Sequence, residues 1–288
     1  MPGWKQNIIR TNRGNFEIFT KGEGTPLCVT HLYSEFNESG DHYAEQFTPD
    51  HHVILVNLRE AGRSEKAAEP FQLGMIETVF DLEAIREALG YERWIFAGHS
   101  TGGMLGLVYG IHASVSLSAL IITGAAAREY ASSSPECIYH PAHSQYEKMQ
   151  QLIEELKNLG LTAEQRKKLA AERTKLSLYE PDNYSDLFDP AIQKKMSAVR
   201  MNFFAREVLL FGITEQLPRI TAKTLILCGR HDVQCPISYS IEMHQRMPGS
   251  ELVIFEKSNH YPFLEEKKAF NEAVHVFLSE NASGEEEG

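Results

Sequence analysis

Gly98-His99-Ser100-Thr101-Gly102-Gly103 lies where a compact apolar run, Trp94-Ile95-Phe96-Ala97, gives way to a helix-like stretch from Gly103 to Tyr109. A serine set between glycines at a strand end and a helix start has the form of a nucleophile elbow. The glycines lack Cβ, so the chain can turn sharply and hold Ser100 strained with its hydroxyl exposed. The helix that follows points N-terminal N–H groups at negative charge developing beside Ser100, and Thr101 N–H is the nearest of them.

A serine hydroxyl is a poor nucleophile without a base, and a histidine base needs a carboxylate to fix its tautomer. Two segments downstream supply both. Leu227-Cys228-Gly229-Arg230-His231-Asp232 places Asp232 just past one late apolar run, and Phe255-Glu256-Lys257-Ser258-Asn259-His260-Tyr261-Pro262 places His260 just past the next. Parallel strands would bring both loops to the sheet edge where Ser100 emerges. Asp81 and Asp41 are rival carboxylates, and His231 is a rival base, but neither aspartate follows a late strand. Each chosen residue also has an ordinary alternative, Ser100 as a helix cap and Asp232 as a turn residue.

Outward from the elbow, strand and helix patterns alternate. Asn7–Arg10 and Phe16–Thr20 read as a hairpin across Asn12-Arg13-Gly14. Leu27–Thr30, Val53–Asn57, Leu117–Thr123, Thr224–Cys228 and Leu252–Phe255 read as strands covered on both faces. Met75–Leu89 has the helical period, with Ile76, Val79, Leu82, Ala84, Ile85, Ala88 and Leu89 apolar and a stop at Gly90. This alternation predicts an α/β fold with a mostly parallel sheet flanked by helices. Residues 1–127 and 220–280 form the expected core, 128–219 a charged, helix-prone insertion expected to be a helical cap, and 281–288 a disordered acidic tail.

Composition limits the function classes. The 288 residues carry a net charge of −11, which argues against a nucleic-acid partner. The opening Met-Pro-Gly-Trp-Lys-Gln-Asn has no long apolar stretch, so neither a signal segment nor a membrane span is expected, and the cytoplasm is the expected location. Four scattered cysteines form no CxxC; Cys28 and Cys228 read as core residues of strands. His140 and His143 form an HxxH, and His51-His52 a pair, without a third ligand at metal spacing, so no metal site is expected.

On these motifs the chain resembles the α/β-hydrolase fold family with a helical cap, in its proline iminopeptidase-like or carboxylesterase-like branch. The chain order Ser, Asp, His matches. Asn57-Leu58-Arg59-Glu60-Ala61-Gly62-Arg63-Ser64 resembles the family's D-x-R-G-x-G-x-S turn with Asn and Glu-Ala substituted, and Asp81–Gly90 resembles the helix before the elbow strand. The resemblance implies nucleophile Ser100, acid Asp232 and base His260. It implies oxyanion donors Thr101 N–H and, in the loop Val29-Thr30-His31-Leu32-Tyr33-Ser34, Tyr33 N–H or Leu32 N–H. Leu32 stands where the family commonly has glycine, so this loop cannot freely adopt positive φ.

The activity implied is acyl transfer without a cofactor, on a small-molecule or short peptide substrate. Cleavage of a small carboxylic ester or amide is the first expectation. Proline-type aminopeptidase, carbon–carbon bond hydrolase and a non-catalytic ligand receptor are the alternatives. His31, Leu32, Phe203 and Phe204 are candidates for substrate contact, with Phe211 as a further apolar wall residue or part of the cap seam. His31 and His99 also read as packing or backbone-positioning residues. An aminopeptidase would need carboxylates facing the substrate amine, with Glu136, Glu154, Glu207 and Glu215 among the cap's candidates. The sequence leaves the oligomeric state open.

Overall fold

The computed structural model describes residues 3–158 and 160–283. The hairpin forms strands β1 (Lys5–Thr11) and β2 (Gly14–Lys21). There follow β3 (Thr25–Val29), a two-residue β4 (Ser34–Glu35), β5 (His51–Val56), β6 (Trp94–His99) and β7 (Leu117–Thr123). Beyond the insertion come β9 (Thr224–Gly229) and β10 (Glu251–Phe255); β8 (Lys195–Met196) lies within it. The main sheet has the order β1-β2-β5-β3-β6-β7-β9-β10, and every pairing from β5 to β10 is parallel. The β1–β2 and β2–β5 pairings are antiparallel.

The alternation of side chains along each strand divides the core in two. Phe16, Ile18, Cys28, Ile54, Val56, Phe96, Leu120, Ile122 and Ile226 face one side, against α1 (Met75–Ala88), α2 (Thr101–Ala113) and the last residues of α7 (Ile237–Arg246). Phe19, Leu27, Val53, Leu55, Ile95, Ile121, Leu225 and Leu227 face the other, against Phe270, Val274 and Phe277 of α9 (Lys267–Ser283). Along α1 the buried stripe is Met75, Val79, Leu82 and Ile85, spaced at one helix face. Ile76, which the apolar period placed on that face, is 48% exposed.

The insertion is helical, with α3 (Tyr146–Leu156), α4 (Ala163–Lys175), α5 (Tyr184–Leu187) and α6 (Ala198–Glu207). It leaves and rejoins the core through a short antiparallel stem, with Glu129 N donating to Phe211 O at 2.8 Å and Ile213 N to Ala127 O at 2.8 Å. One tie to the core is a strand: β8 pairs antiparallel with β4, directly after the loop that follows β3. No strand is legible there in the sequence, because two residues are too short to show a period. At the other end, α9 continues to Ser283, so Asn281, Ala282 and Ser283, expected in the acidic tail, are helical; 284–288 lie outside the described residues.

Candidate active site

Ser100 directly follows β6 and caps α2 with φ 56 and ψ −122, a conformation L-residues rarely adopt. The neighbouring glycines make that turn feasible. A Cβ on Gly98 would stand 2.2 Å from the Gly102 carbonyl oxygen, and one on Gly102 would stand 2.3 Å from the Thr30 carbonyl oxygen. Ser100 N donates to Thr123 O at 2.9 Å, while Gly103 N and Met104 N close the first helical turn on Ser100 O. Thr101 N donates to no protein acceptor among the described residues, as the first N–H of a helix should.

Asp232 and His260, 28 residues apart, meet at the same sheet edge. His260 Nδ1 lies 2.9 Å from Asp232 Oδ2 and 3.0 Å from Oδ1. Both side chains are almost wholly buried. Asp232 Oδ1 also accepts from Gln234 N and Cys235 N, each at 2.8 Å, which fixes the carboxylate plane. Gly124, just past β7, presses on the pair: a Cβ there would lie 3.1 Å from Asp232 Oδ2 and 3.3 Å from His260 Nδ1. Since Ser100 is bonded to Thr123, the same stretch of chain touches all three side-chain loops.

The loop that carries His260 is fastened from several sides. Glu265 accepts from Asn259 N at 2.9 Å, Tyr261 N at 3.3 Å and Tyr179 N of the cap. His260 N donates to Ser177 O at 3.2 Å, beneath the end of α4. His99 Nε2 donates to the His260 carbonyl at 2.8 Å, and because a carbonyl only accepts, that nitrogen carries the proton. Burial holds the His99 pKa well below its ordinary 6.5, with the nearby His260 imidazole acting in the same direction.

His31 is engaged at both ring nitrogens, Nδ1 with Ser34 Oγ and Nε2 with Thr101 Oγ1, each at 3.0 Å. Burial, followed by the charges of Lys194, His260 and Arg200, pushes its pKa well down. Its part is thus to pin the β3 loop to the start of α2, and no ring nitrogen is left for a substrate. Leu32, expected at the substrate, is 2% exposed and packs into the core. Tyr33 faces the cap, its ring 4.6 Å from His31 and 5.6 Å from Phe204. Phe204 packs into the core at the cap seam, Phe211 packs against that cluster, and Phe203 is half-buried.

The rivals are accounted for. Asp81 pairs with Arg13 at 2.7 Å and Arg59 at 2.8 Å, Asp41 accepts from Tyr43 N at 2.9 Å, and His231 packs on Tyr179 at 4.8 Å. Of the four candidate carboxylates in the insertion, Glu154 pairs with Lys157, Glu215 with Arg246, and Glu207 accepts from Met75 N at 2.9 Å. Glu136 lines an open groove of about 410 Å³ behind Asp232, bounded also by Arg230, His231 and Asn259. His140 and His143 each accept a local backbone N–H, from Ala142 and Gln145. All four cysteines are buried and unbridged.

Sequence reasoning missed the tyrosines of the interior. Tyr33, Tyr130, Tyr139 and Tyr261 keep some accessible surface, yet desolvation pushes each phenol pKa up, that of Tyr261 to about 12. Tyr139 Oη donates to Gln234 Oε1 at 2.9 Å, and Gln234 Nε2 to Ser177 Oγ at 3.0 Å. The charge of Arg173, one turn before Ser177, acts on Tyr33, Tyr139 and Tyr261 alike. No spacing rule in the sequence joins these positions.

A strained serine at a strand-to-helix turn, with an Asp–His pair beyond the two later parallel strands, fits one fold family, whose sequence pattern matches residues 30–267. The chain belongs to the alpha/beta hydrolase fold family, and it is an enzyme of the alpha/beta-hydrolase class. An alpha/beta fold family hydrolase from Bacillus anthracis superposes with a TM-score of 0.92 at 40% identity, over 96% of this chain and 100% of that one. A proline iminopeptidase from Saccharolobus solfataricus is 26% identical over 250 residues, covering 79% of this chain and 76% of that protein. An esterase from Exiguobacterium antarcticum, 21% identical over 96% of this chain and 100% of its own, shares the fold with a TM-score of 0.69. Among the described residues no helix is long and apolar enough to cross a membrane.

Proposed function

We propose that this alpha/beta hydrolase cleaves small carboxylic esters or amides through Ser100, His260 and Asp232. The observation that carries the reading is the 2.9 Å contact between His260 Nδ1 and Asp232 at the edge where Ser100 is held at φ 56. Because Asp232 accepts a hydrogen bond from Nδ1–H and so keeps the proton on that nitrogen, Nε2 presents its lone pair and can accept the proton of the serine hydroxyl. Ser100 Oγ has no hydrogen-bond partner among the described residues, and the mechanism requires its contact with Nε2 to form in the substrate complex.

Ser100 then attacks the carbonyl carbon, and the tetrahedral oxyanion accepts hydrogen bonds from Thr101 N–H and Tyr33 N–H. His260 returns the proton to the leaving alcohol or amine. Water hydrolyses the acyl-enzyme by the same route, regenerating Ser100. In this reading Phe204 and Tyr33, whose rings lie 5.6 Å apart, form the wall that the acyl or leaving group meets.

The named relative from Saccharolobus solfataricus supports a second reading, an aminopeptidase acting after an N-terminal proline. Ester cleavage is favoured because Glu154, Glu207 and Glu215 are bound elsewhere, so these three carboxylates are not free to pair with a substrate amine. The test is labelling with a fluorophosphonate, with Ser100→Ala as control, followed by turnover of p-nitrophenyl esters beside prolyl-naphthylamide. Labelling at Ser100 with ester turnover is expected. Preference for the prolyl amide would promote the peptidase, and loss of both labelling and turnover in the intact protein would leave a ligand receptor.

A further inference from the structure

In the loop after β3 Leu32 follows His31, where a glycine would let the backbone turn freely, yet the proposed mechanism needs this loop to present an N–H to Ser100. Neither Leu32 nor Tyr33 takes positive φ; Glu60 and Ser100 are the non-glycine residues that do, among those described. The orientation therefore comes from outside the loop. Arg200, on cap helix α6 and 3% exposed, donates from Nε to the Leu32 carbonyl oxygen. Its Nη1 donates to Arg59 O at 3.0 Å, and its Nη2 to Thr78 Oγ1 at 3.2 Å, so the guanidinium fork is held in one plane.

The carbonyl of Leu32 and the N–H of Tyr33 belong to one peptide unit. In a trans planar unit these two groups point in opposite directions, and the chain has no cis peptide among the described residues. Fixing the oxygen toward the cap thus turns the N–H away from it. On that other side stands the elbow: His31 is bonded to Thr101, and Thr30 O closes on Gly102. A second tie from the cap, Ser197 N to Tyr33 O at 2.8 Å, locks the next peptide unit, and Tyr33 N–H itself donates to no protein acceptor among the described residues.

We propose that Arg200 is a positioning residue for the oxyanion hole: its grip on the Leu32 carbonyl aims Tyr33 N–H at the oxygen bound over Ser100. The cap thereby completes the catalytic machinery of the core, as well as covering it. The inference rests on Ser100 being the nucleophile. It assigns to an arginine the task that the missing glycine would otherwise perform.

The first experiment needs no substitution in the site's supports. In protein labelled with 15N-tyrosine, the Tyr33 amide is identified by its disappearance in Tyr33→Phe, and phenylboronic acid is added. Boron accepts a lone pair of the Ser100 oxygen while the serine proton passes to His260, leaving a tetrahedral mimic. The Tyr33 amide is expected to move downfield on adduct formation, and an unmoved amide beside a formed adduct overturns the proposal. Failure to form any adduct would instead strike the nucleophile reading.

The second experiment compares Arg200→Met and Arg200→Lys, with rates expressed per fluorophosphonate-titrated site. Arg200→Met is expected to lower kcat for p-nitrophenyl acetate roughly 10²–10³-fold, the effect of losing one oxyanion donor, and to weaken phenylboronic acid in parallel. KM should change by less than about 3-fold, since the donor acts on the transition state. Arg200→Lys, which keeps one donor to Leu32 O, should recover part of the loss. A merely structural arginine would lower the number of titrated sites and leave kcat per site and boronate affinity unchanged, and that result overturns the proposal. If Arg200→Met does not fold, Arg200→Lys and the Tyr33 amide decide.

Discussion

Gly124 offers a measurement of how closely the Asp232–His260 pair is fitted to its surroundings. Its φ of 54 favours glycine, and an alanine Cβ would stand 3.1 Å from Asp232 Oδ2, 3.3 Å from His260 Nδ1 and 3.4 Å from His260 Cε1. Gly124→Ala therefore carries two costs. The backbone cost of alanine in the left-handed region is about 1–2 kcal/mol. The contacts require the pair to retreat by a few tenths of an ångström. If a 1 Å misplacement costs about 10²-fold in rate, that retreat lowers kcat roughly 3–10-fold.

The matched control is Gly90→Ala, at φ 77 past the end of α1, where a Cβ would meet nothing within 4 Å. It carries the same kind of backbone cost without touching the site. Both variants should lose a few degrees of Tm, at about 2–4 °C per kcal/mol for a chain of this size. Only Gly124→Ala should lose kcat, measured with a p-nitrophenyl ester after active-site titration. Equal kcat in the two variants would refute the idea that Gly124 holds the pair in register.

Asp232→Asn should leave the fold intact, because an amide oxygen can still accept from Gln234 N and Cys235 N, while kcat falls about 10³–10⁴-fold through the wrong His260 tautomer; steady-state kinetics and a thermal scan check both halves. His99 governs an acid sensitivity. Its folded pKa is held below the ordinary 6.5, so below pH 6.5 the unfolded chain binds the proton that the folded one refuses, and stability falls as pH drops. His99→Gln, which keeps a donor for the His260 carbonyl, should flatten the fall of the denaturant-unfolding free energy as pH drops below 6.5, by up to about 1.4 kcal/mol per pH unit, the limit for one proton; an unchanged slope would count against a buried neutral His99.

The fold was legible because its signals are local. Each strand of the parallel sheet is a short run that must be apolar on both faces, as in Leu117–Thr123, whose predicted and observed limits coincide. Limits slipped by one or two residues where polar ends join the ladder, as His51 and His52 do at the start of β5. The Ser100 turn was legible for the same reason, since glycines at 98, 102 and 103 record in sequence where backbone must approach backbone. Positions of Asp232 and His260 followed from strand order, given that parallel strands deliver their following loops to one edge.

What the chain alone determined is thus the strands of the main sheet and the placing of Ser100, Asp232 and His260 just after three of them, because hydrophobic period and glycine placement act over a few residues. Tertiary structure alone decided how those residues are held. Arg200 reaches Leu32 across 168 positions, His99 reaches the His260 carbonyl across 161, and Gln234 links Tyr139 to Ser177. A hydrogen bond between segments so far apart leaves no period or motif in either one; its geometry exists only once the cap has packed on the sheet.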